Sequence, residues 1–337
     1  MTNSPIRLAM LGCGFAAQQI HIPRLLRLGD HFQITAVADV NPEAARQAAE
    51  KADCPPFSDL GTMLDQVQVD AVAVLTPLHS QAIEMALARG LDVFAEKPLC
   101  ETPEDAFRDA NLASREKRVL MVGAMRIFDP AIERAQKVIP QIGPLRWVEV
   151  RDFCGTGSVT GGGDLIAHAF QAGLPVAVGQ KKNLLQALLL EFVHDLSILR
   201  GIWGAPIEVI ATNAAHDGWS MTGQLLLPGN VSCNYAFCEF GVTSAPVFDV
   251  SLRLFGENGC AEFRFGDPNL DGRCRTLLTC NQGDVEEIVS DPFTGEWLAF
   301  EQAFRNRTIT LNSGQDGAAD VDLAWRMFTQ SMEDSLA

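Results

Sequence analysis

The 337-residue chain contains no run of about 18 apolar residues, so no membrane-spanning helix is expected. Basic residues are scarce. The 26 Lys and Arg stand against 42 Asp and Glu, and a formal net charge of −16 argues against nucleic acid or an anionic membrane as partner. There is no internal repeat and no low-complexity segment. The nine cysteines include no C-x-x-C pair and no metal-ligand spacing, so no metal site is expected. They read as small buried side chains of a reducing compartment. An apolar strand pattern opens within a few residues of the N-terminus, which leaves no room for a signal peptide and predicts a cytoplasmic protein. What is present is a globular composition, 47% hydrophobic and 20% charged, in a chain too long for one ordinary core. Two domains are expected.

The stretch from Ile6 to Ala17 organises the reading. Leu8 to Leu11 is a short apolar run of the kind that forms a strand buried on both faces. It breaks at Gly12 and Gly14, and Ile20, Leu25 and Leu26 then recur on a helical period. Strand, glycine turn and helix are the context of a dinucleotide fingerprint. Gly12 allows the tight turn, Gly14 admits a pyrophosphate close to backbone, and Ala17 is small enough for the helix to pack on the strand. The helix N-terminus offers N–H groups and a positive dipole end to the phosphates. A second strand over Ile34–Ala38 ends at Asp39, 22 residues beyond Ala17. An acid there can accept from an adenosine ribose 2′-hydroxyl and would repel a 2′-phosphate; it can equally cap the helix that opens near Pro42.

Strand and helix alternate up to about Gly123 with no hairpin signal, which predicts a doubly wound parallel sheet. Helices are expected over Pro42–Lys51, 59–65, Gln81–Arg89 and Thr102–Glu116, and strands over Val69–Leu75, Leu91–Ala95 and Val119–Val122. Beyond Arg126 the character changes. A helix over Ala131–Ile139 and a strand over Trp147–Phe153 precede a glycine-rich region from Gly155 to Asn183, and one long helix is expected over Leu184–Trp203. From Ile207 to Val289 hairpin turns such as Pro228-Gly229-Asn230 join strand to strand, predicting an antiparallel sheet. Gly295–Phe304 and Ala319–Met332 close the chain as helices. The domains expected are 1–124 and 125–337, with the last helix packing back on the first.

Glu96-Lys97-Pro98 ends a parallel strand, at the edge where doubly wound sheets hold their ligands. A partly desolvated lysine there can serve as general acid or base; the alternative is a surface lysine paired with Glu96. His194 lies in the long apolar helix between Val193 and Leu196, where it is either a working group or a buried structural residue. Asp164 and His168 repeat an Asp-x-x-x-His spacing, but they follow Gly161-Gly162-Gly163 and read as part of a substrate-side loop. Lys181 and Lys182 can reach an anionic substrate group or simply be solvated.

Gly12-Cys13-Gly14-Phe15-Ala16-Ala17, Ala38-Asp39, Thr76-Pro77 and Glu96-Lys97-Pro98 resemble, in order and spacing, the glucose–fructose oxidoreductase/inositol dehydrogenase family. The resemblance continues through the stretch from Val122 to Pro130, Trp203-Gly204 and the stretch from Leu254 to Gly259, so it covers essentially the whole chain. It implies an α/β protein: an N-terminal Rossmann domain, and a C-terminal α/β domain with a large open, mostly antiparallel sheet. It implies a nicotinamide cofactor, NAD rather than NADP, and a sugar, cyclitol or related polyol as substrate. The family's catalytic lysine and histidine map onto Lys97 and His194, which closure of an interdomain cleft would bring to one substrate hydroxyl. Cofactor contacts fall to Gly12, Gly14, Phe15, Ala17, Asp39, Thr76, Pro77, Glu96 and Lys97, and substrate contacts to Lys97, Arg126, Glu191, His194 and Asp195. Three positions depart from the family pattern: Leu190 where an acid often stands four residues before the histidine, Gln81 for a histidine, and Ser197 for an acid. Glu191, one place out of register, can still share a face with His194 at i, i+3.

Three functions are consistent with this resemblance: a dehydrogenase of a carbohydrate-like secondary alcohol, a glycosidase or lyase recycling bound NAD through a 3-keto sugar, and a ligand sensor without catalysis. Retention of both Lys97 and His194 counts against the sensor. A homodimer or homotetramer is expected, because an open antiparallel sheet over 207–289 leaves a face for a partner. Asp39, with no arginine in Asp39-Val40-Asn41, predicts that NAD is preferred to NADP by at least ~1–3 kcal/mol, the range for an unpaired buried polar group. Kinetic efficiency measured with each cofactor checks this, and equal values would refute the assignment.

Overall fold

Six strands of the N-terminal half lie parallel because each is followed by a helix that returns the chain to the same edge. In a computed structural model, which describes residues 4–155, 182–215, 218–240, 247–267, 274–280, 285–308 and 311–333, these are β1 (Ile6–Leu11), β2 (Phe32–Ala38), β3 (Pro56–Phe57), β4 (Ala71–Val74), β5 (Asp92–Glu96) and β6 (Leu120–Gly123). Their order is β3-β2-β1-β4-β5-β6. The order in which strands are added therefore reverses between β1 and β4, and doubly wound sheets take their ligands at that crevice. Leu8, Ala9 and Met10 of β1 and all four residues of β4 are fully buried, as strands covered on both faces must be.

The helix starts follow from their caps. Asn41, Thr102 and Asp129 each accept a backbone N–H from the first turn, and Pro42, Pro103 and Pro130 stand at the first helical position. Asp59 caps Leu60–Gln66 through the Thr62 N–H at 2.8 Å. Each such cap stabilises by about 1 kcal/mol. The helices run over Pro42–Ala52, Leu60–Gln66, Ser80–Ala88, Pro103–Glu116 and Pro130–Ile142. The fingerprint helix differs from a simple α-helix: a π-helical stretch, Ala16–His21, precedes the α-helical Ile22–Arg27.

Two compact units result. The first takes the chain up to Ala124 together with Phe293–Val321, which includes most of the helix Pro292–Asn306. There Asn312 is buried, donating its side-chain amide to the Val122 carbonyl at 2.7 Å and accepting the Val122 N–H on its own carbonyl at 2.9 Å. The second unit takes the described residues from Met125 to Pro292 together with the chain from Asp322.

The second unit is built on eight strands: β7 (Leu145–Gly155), β8 (Glu208–Ala215), β9 (Ser220–Leu227), β10 (Val231–Glu239), β11 (Val247–Gly256), β12 (Gly259–Phe265), β13 (Cys274–Cys280) and β14 (Val285–Ser290). Their order is β14-β13-β12-β11-β7-β10-β9-β8. Hairpins alone would make every pairing antiparallel. Instead β7 enters the centre, antiparallel to β11 but parallel to β10. One face, with Val148, Val150, Cys233, Tyr235, Phe237, Leu252 and Leu254, is buried, and Phe192 packs on it against Tyr235 and Phe237. The other face is polar: Gln224, Asn234, Glu149, Arg253 and Glu262 form one row across five strands. With their neighbours they line a shallow recess of 810 Å3. Trp147, Phe153 and Phe255 alternate onto this face with Glu149, Arg151 and Arg253 and are half-buried, Arg151 and Arg253 lying over the Phe153 and Phe255 rings. Exposed apolar residues, Ile210, Val285 and Val289, lie on the outermost strands.

The long helix expected over Leu184–Trp203 is one unbroken helical run from Lys182 to Trp203 with a π-helical stretch inside it. Lys182–Ala187 is α-helical, Leu188–Phe192 is π-helical and Val193–Trp203 is α-helical again. The nine cysteines also differ from expectation: Cys13, Cys100, Cys233 and Cys274 are buried, four are half-buried and Cys260 is exposed. All nine are free thiols.

Gly12 and Gly14 separate two kinds of glycine requirement. Gly12 has φ +96°, and a Cβ on it would lie 2.7–2.8 Å from the Leu75 carbonyl and the Thr76 nitrogen. A Cβ on Gly14 would meet nothing within 4 Å. Gly12→Ala is therefore expected to destabilise the fold by on the order of 1–3 kcal/mol, whereas Gly14→Ala leaves the unfolding midpoint unchanged; urea titration of both variants checks this.

Candidate functional site

The carboxyl edge of the parallel sheet ends in backbone N–H groups that no further strand can accept, so side chains accept them. The Cys13 N–H donates to Asp39 Oδ2 at 2.7 Å, and the Asn41 N–H donates to Asp39 Oδ1 at 2.8 Å. The role left open for Asp39 is thus resolved in part. It does not cap the helix at Pro42, which Asn41 does, but ties the glycine turn to the end of β2. Each of its oxygens keeps a second lone pair for a ligand hydroxyl.

Gly14 is exposed, Ala17 is buried against the sheet, and Phe15, Thr76 and Pro77 are half-buried. The Thr76 hydroxyl donates to the Leu78 carbonyl at 2.8 Å. Open space at Gly14, the close strand approach at Gly12 and a fixed carboxylate at Asp39 fit a dinucleotide. Sequence reading passed over Val40. It is 93% exposed directly after Asp39, an apolar side chain turned to solvent.

Lys97 follows β5 at the same edge and is half-buried. Its backbone N–H donates to Glu96 Oε2 at 3.0 Å. Glu96 Oε1 accepts from His21 Nε2 at 2.9 Å, and His21 Nδ1 accepts from Trp297 Nε1 at 3.1 Å. Burial opposes the charge on Glu96, but the His21 hydrogen bond and the neighbouring Lys97 outweigh it and hold its pKa below the ordinary range. Glu96, expected among the cofactor contacts, has each of its oxygens engaged by one protein donor. On the other side of Lys97, buried His79 lies with Nδ1 at 2.8 Å from the Pro98 carbonyl and 3.1 Å from the Leu99 carbonyl. Both carbonyls can only accept, so Nδ1 carries the proton, and burial pushes the ring's pKa down. Gln81, the departure noted in the sequence, lies on the helix that His79 precedes.

In the second unit the elements converge on Arg126. Its guanidinium is buried, with Nη1 at 2.7 Å from Asp152 Oδ2 and 3.2 Å from Asp195 Oδ2, and it lies over the Phe248 ring at 5.7 Å. Burial and the Asp152 charge raise the Asp195 pKa well above its ordinary value. Burial also opposes the charge on Asp152, but Arg126 and hydrogen bonds from Arg126 and Asp195 keep that pKa low. Arg126 and Asp195, expected as substrate contacts, are committed to each other and to Asp152. His194, buried beside Asp195, opens the α-helical segment directly after the π-helical Leu188–Phe192. Glu191 is half-buried within that π stretch, and the Ser197 hydroxyl donates to the His194 carbonyl at 2.7 Å.

The residues missed in the sequence had faint signals. Asp152 continues the buried alternation Val148, Val150, where an acid is out of place. His21 stands on the buried face of the fingerprint helix. Trp297, 276 residues away from it in the chain, had none. Residues 156–181, with Asp164, His168 and Lys181, lie outside the described residues. Among the described residues no helix is long and apolar enough to cross a membrane, and no cluster of three His, Cys, Asp or Glu could hold a metal ion.

Comparison with known proteins agrees with this geometry. Residues 6–124 match the family profile described as "Oxidoreductase family, NAD-binding Rossmann fold" (GFO/IDH/MocA). An inositol 2-dehydrogenase of Burkholderia multivorans is 27% identical over 329 residues, covering 93% of this chain and 90% of the relative. A putative UDP-kanosamine synthase oxidoreductase subunit of Amycolatopsis mediterranei is 30% identical over 153 residues, covering 43% of this chain and 42% of its own. Among solved structures, a 3-ketoreductase from Actinomadura kijaniata in complex with TDP-benzene and NADP has a TM-score of 0.75 at 21% identity, covering 97% of this chain and 98% of that one. An aldose–aldose oxidoreductase from Caulobacter crescentus complexed with glycerol has a TM-score of 0.75 at 20% identity, covering 98% of each chain. At these identities the two structures establish a shared fold.

The buried charge cluster gives a stability test. Folded protein binds the Asp195 proton more tightly than the unfolded chain does, so this group's contribution falls as pH rises from the ordinary Asp pKa towards the raised one. Asp195→Asn removes that dependence and is expected to be at least as stable as the wild type at neutral pH. Asp152→Asn removes the charge that raises the Asp195 pKa and lets Asp195 take over as the partner of Arg126, so it is the Asp152→Asn/Asp195→Asn double variant that strands the Arg126 charge and is expected to cost about 3–5 kcal/mol. Urea unfolding at a series of pH values measures both.

Proposed function

We propose, from the match of residues 6–124 to the GFO/IDH/MocA oxidoreductase profile with its NAD-binding Rossmann fold, that this protein is an NAD-dependent oxidoreductase of a sugar, cyclitol or related polyol, acting between a secondary alcohol and its ketone. The observation that carries the reading is Lys97, half-buried at the carboxyl edge of β5, one strand from the β4 end that packs on Gly12. Similarity over most of the chain to an inositol 2-dehydrogenase supports an alcohol or ketone substrate.

The Gly12–Gly14 turn would hold the pyrophosphate, and Asp39 the adenosine ribose. Asp39 supports NAD over NADP, since its charge is fixed in place by the Cys13 and Asn41 N–H groups. Val40 offers an apolar contact to the adenine. When bound, the nicotinamide supplies the two-electron acceptor or donor of the reaction. The protein's own task is the proton. Lys97 Nζ donates to, or accepts from, the hydroxyl of the reacting carbon and stabilises the charge that develops on its oxygen. His194 is the second proton carrier of this reading, held on a helix whose first turn is locked through Asp195.

A panel of inositols, polyols and sugars incubated with NAD, read by absorbance of reduced cofactor, tests the proposal. Net accumulation supports a dehydrogenase, whereas product without net reduction would indicate internal recycling of the cofactor. Lys97→Met is expected to lower kcat by ~10²–10⁴-fold, the usual yield of a positioned acid or base, with NAD affinity unchanged. His194→Ala should lose a similar factor. If the two act on one proton path, the double variant is little worse than the worse single one. Full turnover in Lys97→Met would end the reading.

A further inference from the structure

Two buried histidines grip the strand end that carries Lys97, one from each side. His21 is fully buried, with Phe94, Phe293 and Trp297 ring centroids at 5.8, 6.3 and 5.6 Å, all edge-on to it. An indole N–H can only donate, so Trp297 leaves His21 Nδ1 as the acceptor and Nε2 as the nitrogen that bears the proton. That proton points at Glu96 Oε1, and the other Glu96 oxygen takes the Lys97 N–H. Each link therefore runs in one direction: indole to imidazole, imidazole to carboxylate, with the carboxylate holding the main chain of Lys97. A reversed tautomer would set two N–H groups against each other at Trp297 and two acceptors against each other at Glu96.

Beyond Lys97 the chain offers a different handle. Pro98 has no N–H, so this turn cannot be held through a proline donor. His79 uses what remains, donating Nδ1–H to the carbonyls of both Pro98 and Leu99. Both histidines come from cofactor-side segments: His21 closes the π-helical stretch after the glycine turn, and His79 follows Thr76-Pro77 directly.

We infer that His21 and His79 are positioning residues for Lys97, fixing its backbone before and after the side chain and coupling it to the two segments that face the dinucleotide. The inference rests on the reading of Lys97 as the proton carrier. A lysine reaches its target through four rotatable bonds, so a fixed main chain narrows where its amine can go. A misplacement of about 1 Å at a reacting group costs on the order of 10²-fold in rate.

The test pairs a structural readout with a kinetic one on the full-length protein saturated with NAD. Amide hydrogen exchange is followed at Lys97 in peptides spanning 96–100, and kcat and KM are measured on a substrate from the panel above. His21→Leu and His79→Leu should each raise Lys97 amide exchange about tenfold, the equivalent of one lost hydrogen bond. They should lower kcat by ~10–100-fold while KM and NAD affinity stay within about twofold. His21→Gln keeps an N–H where Nε2 stood and His79→Asn keeps one where Nδ1 stood, and both should restore exchange and kcat towards wild type. Should His21→Leu fail to fold, Trp297→Phe removes the donor that sets the tautomer while keeping a ring against Phe94, and the same changes are expected in smaller degree. Unchanged exchange at Lys97 in the leucine variants would overturn the inference. So would altered exchange with undiminished kcat, or a loss that Gln and Asn fail to rescue. Full turnover in Lys97→Met would instead remove the functional reading and leave the exchange data to decide whether the histidines hold the strand end.

Discussion

A parallel sheet closed on both faces must still satisfy the N–H groups where its strands end, and in this protein two carboxylates do so. Asp39 accepts from Cys13 and Asn41, and Glu96 accepts from Lys97. A buried N–H without an acceptor costs as much as a lost hydrogen bond, so these carboxylates shape the edge before any ligand arrives. The same atoms serve the proposed chemistry: Asp39 holds the glycine turn in the act of presenting charge to a ribose, and Glu96 holds the main chain of the lysine. Stability and function are thus joined at single side chains, and a substitution at either position alters both.

The second unit solves a related problem with charge instead of backbone. Arg126, Asp152 and Asp195 are all buried, and three full charges in a low-dielectric interior would be costly. One positive group facing two carboxylates splits them, the Arg126 charge helping to hold the Asp152 pKa down while burial and the Asp152 charge push the Asp195 pKa up. Such a cluster defines the geometry of what carries it. It joins the turn at Met125–Phe128, the central strand β7 and the first turn of the helix bearing His194. The π-helical stretch just before His194 widens the helix by one residue in the turn that carries Glu191.

The polar outer face of the eight-stranded sheet follows from alternation. With period 2, turning Val148, Val150, Leu252 and Leu254 to the helix necessarily turns Glu149, Arg151 and Arg253 outward. Their ion pairs, Arg253 with Glu149 at 3.2 Å and Arg151 with Asp249 at 3.1 Å, are exposed and contribute little to stability. They keep the central strands wettable.

Local chemistry was legible in the amino-acid sequence because its causes are local. Asn41-Pro42 and Thr102-Pro103 announced their helices, Gly12 and Gly14 the turn, Pro228-Gly229-Asn230 its hairpin, and the apolar run from Leu8 to Leu11 a strand buried on both faces. From these the parallel sheet, the domain that follows it and the placement of Lys97 at a strand end could all be argued. Only the tertiary structure decided the rest, because its causes lie far apart along the chain. The central position of β7, parallel to β10, depends on a pairing across some eighty residues that no turn encodes. Asp152 finds Arg126 and Asp195, and His21 finds Trp297, through burial in a shared interior. A side chain's neighbours along the sequence fix its backbone, but the partner of a buried polar group is set by whatever the fold packs against it.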